Sequence, residues 1–220
     1  DMLGNDPWLI DILASFLSNF QEEVENEFTP EKNTTPFDRC AWYSPIHFHL
    51  HDWGIYIKSD CIESISVKIA QCLPTKYKHA LSKNHHFARL VIKHCMRAAF
   101  CILYLHEFYH HIVESFGIRL QTVQGRGSYV RYMENVYQRL KGNSNQLEEA
   151  LANAYSYRRF RIKTYSKCLL TCIVKATELY LKKSFPASSP GYNQALKYLK
   201  SVDFKNGEHE LQSRIQEGTL

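Results

Sequence analysis

The residues best suited to chemistry lie together in Tyr104-Leu105-His106-Glu107-Phe108-Tyr109-His110-His111. This stretch contains His-Glu-x-x-His inside a long apolar segment whose periodicity reads as helix. Residues four apart share one helix face, about 6 Å apart along the axis. His106 and His110 can therefore aim two imidazole nitrogens at one point, an arrangement suited to a tetrahedral Zn²⁺. Glu107 projects beside that point rather than at it, where it can take a proton from a water held there. Two histidines and a glutamate without partners are costly to bury in so apolar a helix. Two ligands leave the site incomplete, so a third must come from elsewhere.

Glu114 lies four residues beyond His110, but about 12 Å along the axis from His106 at helical rise. It cannot share an ion with both histidines. The next strong helical stretch, Leu147-Glu148-Glu149-Ala150-Leu151-Ala152-Asn153-Ala154, offers two carboxylates. A glutamate on a second helix crossing the first would complete a His₂Glu set and leave the fourth position open. A one-residue change of helix phase exchanges Glu148 and Glu149.

His-Glu-x-x-His followed by a Glu-x-x-x-Asn helix resembles the gluzincin metallopeptidases. The run Glu149-Ala150-Leu151-Ala152-Asn153 also resembles the Glu-x-x-Ala-Asn segment of the small ImmA/IrrE-type bacterial metallopeptidases. The resemblance rests on these two motifs. It implies a zincin-like core in which His106, His110 and Glu149 hold Zn²⁺ and Glu107 acts as general base. Asn153 would brace a zinc-binding histidine. It also implies an edge strand above the metal helix, to which an extended peptide adds as a further strand.

Residues 46–57 are the candidate for that strand. Ile46, Phe48 and Leu50 alternate with His47, His49 and His51, so a strand over residues 46–59 is expected, turning near Asp52. His-x-His-x-His on one strand face could itself bind metal, although the polar face of a half-exposed strand explains it as well. His94 stands about 18 Å along the helix from His106 and is excluded as a ligand. His111 points away from His110 and suits hydrogen bonding or packing. Among Tyr129, Tyr132, Tyr137, Tyr155 and Tyr157, one could donate to an oxyanion.

The remaining chain must position these groups. An amphipathic helix is expected over residues 7–27, capped by Asp6 and striped by Trp8, Ile12, Phe16 and Phe20. A proline-rich loop follows over 28–45. Asp60 and Glu63 have capping-box spacing before Ile62, Ile65, Ile69 and Leu73, and Pro74 ends that helix. The central helix spans 84–116 and stops at Gly117. Residues 118–144 are mixed, 146–162 helical, and 163–185 helical after a kink. A break at 186–190 precedes a helix over 191–201, and the tail from Asn206 is polar.

The 220 residues form one expected domain: an N-terminal helix and loop (1–45), a catalytic core (46–162) and a helical part (163–220). A hydrophobic content of 45% is that of a folded globular chain, which excludes a disordered one. The net charge of +5 is modest for a nucleic-acid binder, and the basic run Arg158, Arg159, Arg161, Lys163 and Lys167 spreads around its helix. Seven cysteines without a repeated spacing suggest reduced thiols and a cytoplasmic protein. The most apolar run, 98–105, is too short to span a bilayer, and no membrane partner is expected.

The expected fold is α+β, predominantly helical, with a small sheet beside the metal helix. The expected function is that of a zinc-dependent metallopeptidase acting on a protein or peptide substrate. The alternatives are a non-catalytic zincin-like interaction module, associated with DNA through its basic helices, and a zinc amidase with a non-peptide substrate.

Overall fold

The computed structural model describes residues 40–162 and 166–218. The helix expected over 7–27 and most of the loop at 28–45 lie outside the described residues. The fold is predominantly helical, with a two-stranded antiparallel sheet at one side. Strand β1 (Ala41–Ser44) pairs with β2 (Gly54–Ile57), setting Trp42 against Tyr56 and Tyr43 against Ile55. Between them lie a single helical turn, α1 (Ile46–His49), and a 3₁₀ turn (Leu50–Asp52).

The strand expected over 46–59 therefore exists only from residue 54, and its partner is the end of the expected loop. His47, His49 and His51 do not share a strand face, which removes the His-x-His-x-His reading. Tertiary bonding decides the matter. The amides of Ile46 and His47 both donate to the Glu114 carboxylate, at 3.1 and 2.9 Å, which draws the chain into a turn after Pro45.

Helix α2 (Ser59–Gln71) buries Ile65 and Ile69, and Pro74 precedes α3 (Thr75–Lys83). The expected capping box is not formed, since Asp60 Oδ1 instead accepts from the amide of Cys61 at 2.9 Å. Cys61 also forms a disulfide with Cys40, tying α2 to the start of β1. The expectation of reduced thiols is thus corrected for this pair, while Cys95 in the core and the half-buried Cys101 beside it are free thiols whose pKa values burial pushes up to about 12 and about 11.

The organising element is α4 (His85–Gln124), forty residues long. Asn84 caps its first turn by accepting from the amide of Phe87 at 3.0 Å. It runs through Gly117 and stops at Gly125, which has φ 64. Gly117 has a different task, because a Cβ there would stand 2.6 Å from Cβ of Tyr129. That close approach seats α5 (Ser128–Tyr132) on α4. A π-helical turn (Met133–Tyr137) and a short α6 (Gln138–Leu140) follow.

Helix α7 (Leu147–Phe160) makes the most extensive packing against α4 and is buried almost throughout. Helix α8 (Thr171–Ser184), 3₁₀ turns at Phe185–Ala187 and Tyr192–Tyr198, and α9 (Ser201–Glu217) complete the chain. The expected helix over 191–201 is thus 3₁₀, and the polar tail is α9. That helix buries Phe204, Gly207, Leu211 and Ile215, with Gly207 close against Leu151 of α7. Among the described residues no helix is long and apolar enough to cross a membrane.

Candidate metal centre

Helical spacing puts His106 and His110 on the face of α4 that meets α7, and both side chains are buried. Each imidazole is fixed through its Nδ1. His106 Nδ1 donates to Asn153 Oδ1 at 3.0 Å, and His110 Nδ1 donates to Glu148 Oε1 at 2.7 Å. The orientation of Asn153 is set in turn, since its Nδ2 donates to the Tyr192 carbonyl at 3.3 Å. With one proton spent at each Nδ1, a neutral ring presents a lone pair at Nε2.

Those two lone pairs converge on Glu149. The Nε2 atoms are 3.4 Å apart, and Glu149 Oε2 lies 3.3 Å from that of His106 and 3.5 Å from that of His110. Tetrahedral bonds of about 2.0–2.2 Å place ligand atoms about 3.3–3.6 Å apart, so all three edges match. Glu149 Oε2 is buried and takes no hydrogen bond among the described residues. The other oxygen, Oε1, accepts from Tyr137 Oη in a short hydrogen bond. Three acceptor atoms in van der Waals contact, one of them orphaned, would be satisfied by a cation. His106, His110 and Glu149 could together hold a metal ion.

The electrostatics of the site favour positive charge. Burial alone would lower the His110 pKa, but the charges and hydrogen bonds of Glu149 and Glu148 outweigh it and raise the pKa well above the ordinary value. Conversely, burial would raise Glu149, while the close approach of the His110 and His106 rings holds it far below the usual carboxylate range.

Glu148 is thus not an alternative to Glu149 at the same point. It braces His110 from behind, and its Oε2 accepts from Tyr132 Oη at 2.6 Å. Tyr132 burial, together with the Glu148 charge, pushes the phenol pKa well up, so Tyr132 serves as a donor. Sequence reading missed this pairing because Tyr132 and Tyr137 are five apart, which on an α-helix turns them away from each other. The wider π-helical turn between them brings both phenols to the carboxylates of α7. Their rings lie 6.5 Å apart.

The centre opens into a cleft of about 1200 Å³. Its floor is formed by His106, Glu107, His110, Glu148, Glu149 and Tyr192. One wall is residues 41–49, contributing Trp42, Tyr43 and Phe48, and the other is Tyr129, Met133, Glu134, Tyr137 and Lys141. Glu107, the expected general base, is buried at the cleft floor beside the triad. Tyr192 stacks on His106 with centroids 5.7 Å apart. Gly191 before it has φ 91 and would clash with Gln146 Cβ at 2.8 Å if it bore a Cβ, so the turn needs glycine.

His94 is buried on α4 well away from the triad, in agreement with its exclusion. His111 hydrogen-bonds Tyr43 and stacks on Trp53. Three arginines of the basic run have partners within the fold. Arg158 donates to the Leu199 carbonyl at 2.9 Å, Arg159 lies over Tyr155, and Arg161 pairs with Glu178 at 3.3 Å. No family model, curated protein or solved structure matches this chain.

Proposed function

We propose that this protein is a zinc-dependent metallopeptidase. The observation that carries the reading is the orphaned Glu149 Oε2, held at tetrahedral edge distances from two imidazole nitrogens at the floor of an open cleft. His106, His110 and Glu149 would hold the ion, and the nitrogen-rich, one-carboxylate donor set suits zinc. Bound there, zinc supplies Lewis acidity at a carbonyl oxygen and lowers the pKa of a water.

Glu107 takes the proton of the attacking water and delivers it to the leaving amine. Asn153 and Glu148 fix the two rings and their tautomers, so that both Nε2 atoms keep their lone pairs directed inward. Tyr137 holds Glu149 by Oε1 and so reserves Oε2 for the ion.

The β1 edge is suited to an extended peptide. The amide of Lys58 donates to the Cys40 carbonyl at 2.9 Å, which sets the alternation of the pair. Trp42 and Ser44 then bond to β2, while Ala41 and Tyr43 turn their N–H and C=O groups to the opposite edge. Ala41, Trp42 and Tyr43 line the cleft. This strand, rather than residues 46–57, is the one a peptide would join.

The test is Glu107→Gln. Zinc content should stay at that of wild type while hydrolysis of a quenched fluorescent peptide library drops by about 10²–10⁴-fold. Undiminished cleavage would remove Glu107 from the mechanism, and zinc-free wild-type protein would remove the proposal.

A further inference from the structure

Glu114 lies four residues past His110 on α4 and has no contact with solvent. Its carboxylate accepts four hydrogen bonds, all from residues 43–47. Oε2 accepts from Tyr43 Oη in a short bond and from the Ile46 amide at 3.1 Å. Oε1 accepts from the His47 amide at 2.9 Å and from His47 Nδ1 at 2.6 Å. Two neighbours on α4 reinforce the grip. His111 Nδ1 lies 2.9 Å from Tyr43 Oη, and Gln121 Oε1 lies 3.0 Å from His47 Nε2. The other end of β1 is pinned by the Cys40–Cys61 disulfide.

This carboxylate plays no part in the metal triad, yet it joins two parts of the cleft. Tyr43 is one of the two β1 residues whose backbone faces away from β2, and it lines the cleft wall. Glu114 shares a rigid helix with His106 and His110. One buried side chain therefore sets where the wall stands relative to the metal centre.

We propose that Glu114 is a positioning residue for an extended peptide: by holding Tyr43, Ile46 and His47 it fixes the outer edge of β1 at the height of the metal triad. The proposal rests on the peptidase reading and adds to it the element that sets substrate register. A wall free to shift would still leave zinc in place, but the strand added to β1 would no longer deliver its carbonyl to the centre. Small displacements of this kind cost much in rate and binding.

The experiment compares zinc-loaded wild type, Glu114→Ala and Tyr43→Phe, each checked for folding by circular dichroism and for zinc by mass spectrometry. Two probes are titrated: acetohydroxamate, which touches only the centre, and a pool of random hexapeptide hydroxamates, which also lies along the wall. Glu114→Ala should bind the pool at least tenfold more weakly, with zinc and acetohydroxamate binding within about twofold of wild type. Amide exchange at residues 41–47 should rise in parallel. Tyr43→Phe, which removes one donor and keeps the ring, should move the same readouts less, and it carries the comparison if Glu114→Ala does not fold. Equal weakening of both probes, or of neither, overturns the role of Glu114. Wild type that takes up no zinc, or that binds the pool no better than acetohydroxamate, overturns the peptidase reading and this role with it.

Discussion

Glu148 Oε1 stands 2.7 Å from Nδ1 of His110, on the side of the ring away from Glu149. Adjacent residues on α7 thus reach the same imidazole from opposite sides, one bracing it and one meeting its free nitrogen. Glu148→Ala should weaken zinc binding by about 10–100-fold, measured by competition with a chromophoric chelator, because the ring loses both its orientation and its basicity. Glu149→Ala should lose tight binding altogether, since it removes a ligand. Equal effects of the two substitutions would show that the bracing role is wrongly assigned.

Asn153→Ala should act like Glu148→Ala but more gently. Its Oδ1 braces His106 as a neutral acceptor at 3.0 Å, and charged acceptors make the stronger bonds. The same chelator competition checks the order: wild type tightest, then Asn153→Ala, then Glu148→Ala.

Both motifs were legible in the sequence because their geometry is local. Four-residue spacing on a helix fixes His106 against His110 and Glu149 against Asn153 without any knowledge of the fold. What could not be read there depends on contacts between distant segments. The alternation at 46–51 suits a strand, yet hydrogen bonds from Glu114, nearly seventy residues on, make it a helical turn. Gly117 has the look of a helix stop, but its missing Cβ serves a crossing with Tyr129. Tyr132 and Tyr137 have no helical phase in common until a π turn supplies one. The polar tail hides α9, whose buried face is only Phe204, Gly207, Leu211 and Ile215.

Gly117→Ala tests the crossing of α4 and α5. The new methyl would meet Tyr129 Cβ at 2.6 Å, an atom fixed to the backbone rather than the end of a flexible chain. Overpacking of this kind costs about 1–3 kcal/mol. Thermal or denaturant unfolding should show a loss in that range, whereas Gly127→Ala, where a Cβ would meet nothing within 4 Å, should be close to neutral.

Glu114 also predicts a pH dependence. Burial would raise its pKa, but hydrogen bonds from Tyr43 and from the His47 and Ile46 segment hold it below the ordinary 4.5. A carboxyl depressed in the folded state contributes stability that is fully present above the unfolded value. That contribution is lost as pH falls from 4.5 through the folded pKa. Wild type should therefore be more stable than Glu114→Gln at pH 7, and the gap should narrow as pH falls below 4.5. Chemical denaturation at several pH values checks it, and a gap that widens on acidification would contradict the depressed pKa.

On the proposed zinc reading, removal of the metal should destabilise the fold, because the triad joins the two helices with the most extensive mutual packing, α4 and α7. A ligand at 1,000 times its Kd stabilises the folded state by about 4 kcal/mol. For a chain of this size each kcal/mol moves Tm by about 2–4 °C. Excess chelator should therefore lower Tm by roughly 8–16 °C at that saturation, and added zinc should restore it. His106→Ala lacks a ligand, so its melting should be indifferent to chelator. A chelator-sensitive His106→Ala protein would place the stabilising ion somewhere other than the His106, His110 and Glu149 centre.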